Sequence, residues 1–190
     1  GWRSCAPSSA RRPRRRWGGR APCELLSERG GALASAAAAA LAVLGFEQVG
    51  TPDTTQPDML KISIGGEEPQ SALMRASASP DGPVSHGALT AFVETLQTSD
   101  SGKRVKGIVL GNARHGFPPE KREVWFESES IELARQREVC LLPSQDLYTM
   151  VCLVLGKLES KNIDKIRESL RRDLMSCNGL FQLSRVKYGL

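Results

Sequence analysis

The sequence predicts an α/β domain in which helices pack against the faces of a mixed central β-sheet. Three patterns support this class: an alanine-rich helix over residues 32–44, an alternating hairpin over 59–76, and two short apolar strands at 105–110 and 139–142. A meander of strands followed by helical crossovers gives a sheet with both antiparallel and parallel pairs. We expect strand 105–110, which has the most buried pattern, to lie at the centre of that sheet.

The first half of the chain supplies one helix and the hairpin. Alanine has the best helix propensity, and apolar side chains recur on one face from Leu33 to Leu44, with Gly45 as a natural stop. Residues 46–50 are expected to form a short strand. Residues 59–64 then alternate between apolar and polar side chains, and residues 71–76 return, which predicts a β-hairpin.

The second half alternates helices with strands. Ser85 and Ser144 each precede an apolar helix pattern, and both are predicted to be N-cap residues. The predicted elements are, in order, helix 85–96, strand 105–110, helix 128–137, strand 139–142, helix 145–155 and helix 162–175.

The positive charge of the chain is concentrated at its beginning. Residues 1–23 contain seven arginines and no acid, so the other residues carry 19 basic and 21 acidic side chains. We expect a disordered Arg-rich tail at 1–23, a domain at 24–158, and a charged helix and tail at 159–190. Two alternatives for the tail are an electrostatic phosphate contact and an export signal, in which residues 11–16 and the apolar run 33–44 imitate a charged and a hydrophobic region.

Cysteine usage and hydropathy favour the cytoplasm. The five cysteines include no C-x-x-C pair, and Cys140 and Cys152 lie in apolar surroundings, as buried thiols do. His86 and His115 share no metal-ligand spacing with the cysteines, so no zinc site is expected. The sequence has neither an apolar run of about 18 residues, as a membrane span requires, nor a glycine-rich nucleotide-binding loop.

Two stretches of the sequence resemble a known family. Residues 25–47 contain a Leu-Leu segment, a glycine and a helix that ends in Leu-Gly-Phe. Residues 105–151 contain a strand that ends in Gly-Asn, a Pro-Pro-Glu-x-Arg loop, a helix and a Leu-Leu-x-x-x-x-Leu strand-to-helix turn. These features resemble the restriction-endonuclease-like, or PD-(D/E)XK, superfamily, in its Mrr-type and Holliday-junction-resolvase-type branch. The resemblance spans roughly residues 24–180 and implies a restriction-endonuclease-like fold.

The resemblance also implies where catalytic residues would lie. Active members hold Mg²⁺ with an acid before the hairpin and with the acid of an (Asp/Glu)-x-Lys motif on its return strand, and the lysine helps to activate water. This chain has Asp58, Arg75 and Ser77 at the three positions. An arginine repels Mg²⁺, and serine carries no charge to replace the lysine. The implied domain is therefore nuclease-like with degenerate catalysis, and whether it is an enzyme stays open.

Several of these residues also have plainer interpretations. Asp58 follows Pro57 and is equally typical of a turn, while Arg75 either pairs with Asp58 or faces solvent. Glu67 and Glu68 lie in the hairpin turn and are expected to be exposed.

Two further positions bear on the site. Related domains often carry a polar residue, commonly glutamine, on the helix that follows the hairpin, where this chain has Ala88. Asn112 and His115 follow the buried strand, where α/β folds place ligands. No nucleophile–base set surrounds them in the sequence, so a surface loop is the simpler interpretation.

Three functions are compatible with these patterns. The first is a binding module for nucleic acid or a partner, without cofactor. The second is an active Mg²⁺-dependent endonuclease that uses Asp58 with an acid from elsewhere, such as Glu47 or Glu94. The third is a protein-interaction scaffold, which the near-neutral charge of residues 24–190 favours.

Overall fold

A computed structural model describes residues 22–50, 55–64, 70–98 and 105–188. Six strands form one sheet, and their spatial order is their order in the sequence. The first two pairs are antiparallel, and the last three are parallel. The predicted α/β class, with helices flanking a mixed sheet, is therefore confirmed.

The described elements follow one another in a regular order. They are α1 (Glu24–Ser27), α2 (Gly30–Val43), β1 (Gln48–Val49), β2 (Met59–Ile64), β3 (Gln70–Ala78), α3 (His86–Thr98), β4 (Lys106–Asn112), a 3₁₀ turn (Pro119–Lys121), α4 (Ser128–Gln136), β5 (Cys140–Pro143), α5 (Ser144–Gly156), α6 (Ile163–Ser176), β6 (Gly179–Leu180) and α7 (Arg185–Tyr188).

Each face of the sheet is covered by a different set of helices. Helices α1, α2, α5 and α6 share one hydrophobic cluster with alternate residues of the strands, such as Met74 and Leu110. Helices α3 and α4 share a second cluster with the residues between them, such as Leu73 and Val109. Because successive strand residues point to opposite faces, both faces of β3 and β4 are buried.

The strand prediction is confirmed in its main point. β4 lies between β3 and β5 and is buried from Gly107 to Asn112, so it is an interior strand. The predicted hairpin is β2 paired with β3, but β3 continues to Ala78 and β4 to Asn112. The hairpin turn at 65–69 lies outside the described residues.

The helix cap predicted at Ser144 is wrong, whereas Ser85 directly precedes α3. Ser144 is the first residue of α5 and Pro143 is its N-cap, because the Ser144 hydroxyl donates instead to Asn112. At the start of α3 the His86 amide donates to a carboxylate oxygen of Glu127, 41 positions along the chain, at 2.8 Å. The acceptor at this helix end therefore comes from a distant segment, which sequence patterns within the helix do not indicate.

The segment after residue 158 belongs to the same sheet and core. Leu170 and Leu174 of α6 are fully buried, and β6 pairs in parallel with β5. The Tyr188 hydroxyl donates to Asp173 at 2.6 Å and holds α7 on α6. The predicted tail at 1–23 lies almost wholly outside the described residues. Within the described ranges, no helix combines the length and the apolarity that a membrane crossing needs.

Candidate functional site

The carboxyl ends of β3, β4 and β5 meet at one edge of the sheet. Ala78 is the partner of Asn112, and Gly111 is the partner of Pro143. β2 begins at the same place, because the Asp58 carbonyl accepts the Ala76 amide at 2.7 Å. We call this region the carboxyl edge. Parallel strands place ligand sites here in α/β folds, because the loops that follow the strands converge.

Asp58 and Arg75 form an ion pair at the carboxyl edge. The Arg75 Nε donates to the Asp58 Oδ2 at 2.9 Å, and the two side chains are 28% and 27% exposed. The register pairs Met59 with Arg75, so Asp58 lies across from Ala76 in the turn before β2, and its carboxylate reaches Arg75 from outside the strand. Of the two interpretations of Arg75, pairing with Asp58 is the one that the structure contains.

Ser77 lies on the same face of β3 as Arg75, two residues further along the strand. It is half-buried, and its partner on β4 is Gly111. A Cβ atom at Gly111 would overlap the ring of Phe126, so this position must be glycine for Phe126 to cover the sheet. Arg75 and Ser77 therefore share one face of β3, and the Asp58 carboxylate contacts Arg75 from the turn before β2.

Neither alternative acid completes a carboxylate pair with Asp58. Glu47 precedes Gln48, the partner of Ser63, so it lies level with Ile64, about 20 Å from Asp58 at 3.3 Å per residue. Glu94 is exposed on α3, two residues before Leu96, which packs over Gly107 at the amino end of β4.

The other residues weighed from the sequence add no acid to the site. Ala88 is half-buried and packs in the cluster beneath α3. Glu67 and Glu68 lie outside the described residues. No three His, Cys, Asp or Glu side chains converge as a metal site in the described parts of the chain.

A buried polar network occupies the opposite face of the carboxyl edge. The Asn112 side chain is fully buried, and its Nδ2 donates to the Glu28 carbonyl at 2.8 Å. Its Oδ1 accepts from Arg122 Nη1 at 2.9 Å and from the Ser144 hydroxyl at 3.1 Å. One amide therefore links the end of β4 to the α1–α2 connection, to the following loop and to α5.

Arg122 is the cation of this network, and it is only 7% exposed. Its Nε donates to the Phe117 carbonyl at 2.9 Å, and its Nη2 donates to the His115 carbonyl at 3.4 Å. Burial lowers the pKa of Arg122, and the nearby charge of Glu120 opposes that effect. The guanidinium thus fixes the loop between Asn112 and Arg122 by binding carbonyls.

The sequence analysis missed this network. Asn112 was interpreted as the residue that ends a buried strand, where α/β folds place ligands, and Arg122 as one residue of a Pro-Pro-Glu-x-Arg loop. One sequence feature indicates such a network. An asparagine ends an apolar strand directly before a proline-rich loop, and a buried amide needs hydrogen-bond partners.

Two loops pack against each other above the carboxyl edge. The amide of Arg114 donates to the Gly82 carbonyl and that of His115 to the Ser79 carbonyl, both at 3.1 Å. Arg114 adopts a positive φ of 50°, and its Nε is buried without a hydrogen-bond partner among the described residues, as is the Nδ1 of His86. Phe117, at the tip of the loop, is 44% exposed. The exposed Phe117 ring is accessible to a ligand, whereas the Arg114 Nε and the His86 Nδ1 are buried.

Comparison of the chain with protein-family models, with curated proteins and with solved structures gives no match.

Proposed function

We propose that this chain is a restriction-endonuclease-like domain that binds nucleic acid at its carboxyl edge without cleaving it. The observation that carries the proposal is the Asp58–Arg75 ion pair. In the resembling nucleases these two positions hold two carboxylates around Mg²⁺. Here the guanidinium occupies one position and binds the remaining carboxylate.

The chemistry of the pair supports the loss of cleavage. Mg²⁺ binds through one or two carboxylates together with substrate phosphate, and it demands near-octahedral oxygen ligands. In this chain Asp58 already accepts a charge-assisted hydrogen bond, and Arg75 adds a positive charge beside it. Displacing the Arg75 guanidinium would break the ion pair and would still leave a positive charge near the Mg²⁺.

The groups around the carboxyl edge support a nucleic-acid ligand. Half-buried Arg114 adds a positive charge near the carboxyl edge, and exposed Phe117 lies three residues away. Cations that contact phosphates, combined with aromatic rings that stack on bases, are how proteins hold single-stranded nucleic acid.

Cleavage is tested with the unmodified chain, Asp58→Ala and the double variant Arg75→Glu with Ser77→Lys, each with Mg²⁺ or Mn²⁺ and plasmid or single-stranded DNA. We expect no cleavage by the unmodified chain. Cleavage that disappears with Asp58→Ala would instead show an active metal-dependent endonuclease.

Binding is tested by fluorescence anisotropy with single- and double-stranded oligonucleotides over a range of salt concentrations. We expect affinity to fall steeply with salt, and to fall further in Arg114→Gln and Phe117→Ala. Arg135→Gln is the matched control, because Arg135 is exposed on α4 near Gly179, at the amino end of β5. Equal losses from Arg114→Gln and Arg135→Gln would contradict binding at the carboxyl edge.

A protein ligand is the second candidate. The near balance of 19 basic and 21 acidic side chains after residue 23 gives no general attraction for phosphate. Phe117 and Val124, 44% and 46% exposed, supply apolar contacts on the segment that leads to α4. Two results together would favour this function. The oligonucleotides would show no salt-dependent binding by anisotropy, and a defined partner would be captured by the unmodified chain but not by Phe117→Ala.

A further inference from the structure

Two cysteines meet at the amino end of β5, away from the carboxyl edge. Cys140 begins β5 and is fully buried, and its partner on β6 is Gly179. Cys177 lies two residues before Gly179, directly after α6, and is half-buried. Both thiols pack in the same hydrophobic cluster, close enough for each to shift the pKa of the other.

The chain turn that brings Cys177 to Cys140 depends on Gly179. This glycine has a φ of +87°, and a Cβ atom there would lie 2.7 Å from the Arg135 Cγ. Its amide donates to the Val139 carbonyl at 2.8 Å, which starts the β5–β6 pairing. The Cys177 Sγ also contacts the Gly179 carbonyl at 3.5 Å.

A lysine holds the backbone around Cys177. The Lys106 Nζ donates to the Cys177 carbonyl at 2.5 Å, to the Glu138 carbonyl at 2.6 Å and to the Asn178 Oδ1 at 2.7 Å. The ammonium is therefore a fixed positive charge beside the thiol pair. Positive charge near a cysteine favours its thiolate, which is the reactive form.

The two thiols differ in their acidity. The hydrogen bond from Cys140 lowers the pKa of Cys177, burial opposes that effect, and Lys106 reinforces it. Burial raises the pKa of Cys140 well above its usual value. Cys177 is therefore the more acidic and the more exposed of the two thiols.

We propose that Cys177 and Cys140 form an oxidation site, in which Cys177 reacts with a hydroperoxide and Cys140 closes a disulfide with it. The Cys177 thiolate attacks one peroxide oxygen, the O–O bond breaks, and hydroxide or alkoxide leaves. Cys177 becomes a sulfenic acid. The Cys140 sulfur then attacks the Cys177 sulfur, and the hydroxyl leaves with the Cys140 proton as water. The protein loses two electrons and two hydrogens, and the peroxide is reduced.

The disulfide would join the start of β5 to the end of α6. It closes the loop from Cys140 to Cys177, which restricts the unfolded chain and favours the folded state. The site lies at the opposite end of β4 and β5 from the carboxyl edge, so it does not rest on the proposed binding function.

The test is a titration of the full reduced chain with hydrogen peroxide, followed by alkylation of free thiols and peptide mapping. We expect one intramolecular bond between Cys140 and Cys177, lost on treatment with dithiothreitol, and a rise in thermal midpoint for the oxidised chain. In Cys140→Ser we expect the sulfenic acid at Cys177 to be trapped by dimedone. Exposed Cys23 is the internal control.

Lysine variants test the role of the cation. Lys106→Met should slow peroxide reaction at Cys177 several-fold, and Lys106→Arg should preserve most of the rate. Peroxide oxidation of Cys177 no faster than that of Cys23, or a bond that joins other cysteines, would overturn the proposal. Mapping of the unmodified chain gives this answer even if Cys140→Ser does not fold.

Discussion

Two arginines at the carboxyl edge differ in their burial and in the groups that they bind. Arg75 is about a quarter exposed and pairs with a carboxylate, whereas Arg122 is nearly buried and binds two carbonyls and an asparagine. Separating a partly exposed ion pair lowers the free energy of unfolding only slightly, because water solvates both charges. A buried guanidinium without a bonded carboxylate depends on every dipole around it. Arg122 therefore contributes to the stability of the fold, whereas Arg75 can change with function at little cost in stability.

The same substitution at both arginines should give the largest contrast. We expect Arg122→Met to lower the free energy of unfolding by about 3 kcal/mol, because two carbonyls and one side of the Asn112 amide lose their donor. Arg75→Met should cost about 0.5 kcal/mol or less. Urea unfolding followed by circular dichroism measures both, and equal losses would remove the distinction between them.

In the buried polar network, we expect the Asn112 amide to contribute more to stability than the Ser144 hydroxyl. Asn112→Ala strips partners from the Glu28 carbonyl, Arg122 and Ser144 together, so we expect a loss of about 2 kcal/mol. Ser144→Ala leaves Asn112 Oδ1 bonded to Arg122, and about 1 kcal/mol is expected. Urea unfolding orders the two variants, and a larger loss from Ser144→Ala would place the centre of the network in α5.

The contrast between the two arginines also shows what sequence patterns can and cannot predict. The β2–β3 hairpin follows from alternating side chains, and it brings the turn that contains Asp58 close to Arg75. β4 was predictable for the same reason, since its apolar pattern requires burial on both faces. These inferences use only local periodicity and pairing.

The buried network depends on contacts between distant segments. Asn112 meets Glu28, 84 positions earlier, and Ser144, 32 positions later, so neither partner is visible in a local pattern. Ser144 looks like a helix cap because its position before an apolar helix is typical of one. β6 and the Cys140–Cys177 contact were missed likewise, since a two-residue strand has no measurable periodicity.

Another ion pair, between Asp173 of α6 and Lys187 of α7, supplies a pH-dependent reference for the Asp58–Arg75 pair. Both Asp173 oxygens accept from Lys187 at 2.7 Å, and Oδ2 also accepts from Tyr188 at 2.6 Å. Burial would raise the pKa of Asp173, but the bonds from Lys187 and Tyr188 outweigh it and lower that pKa. A lowered pKa stabilises the fold above the unfolded value of about 3.9, and this contribution is lost as the pH falls through the folded value.

We therefore expect Asp173→Asn to cost about 1 kcal/mol at pH 7 and progressively less as the pH falls below about 4. Urea unfolding of the variant and the unmodified chain between pH 7 and pH 3 measures the difference. A constant difference over this range would contradict the assignment of the lowered pKa to Asp173.

The smallest effect belongs to the ion pair on which the proposed function rests. A double-mutant cycle with Asp58→Asn, Arg75→Met and both together isolates the coupling between the two side chains. We expect a coupling of about 0.5 kcal/mol that shrinks in high salt, because both side chains are more than a quarter exposed. Losing a pair this weak lowers stability only slightly. Its presence is therefore explained by the history or function of the site rather than by folding. A coupling as large as the loss from Arg122→Met would show instead that the Asp58–Arg75 pair is needed to hold β2 against β3.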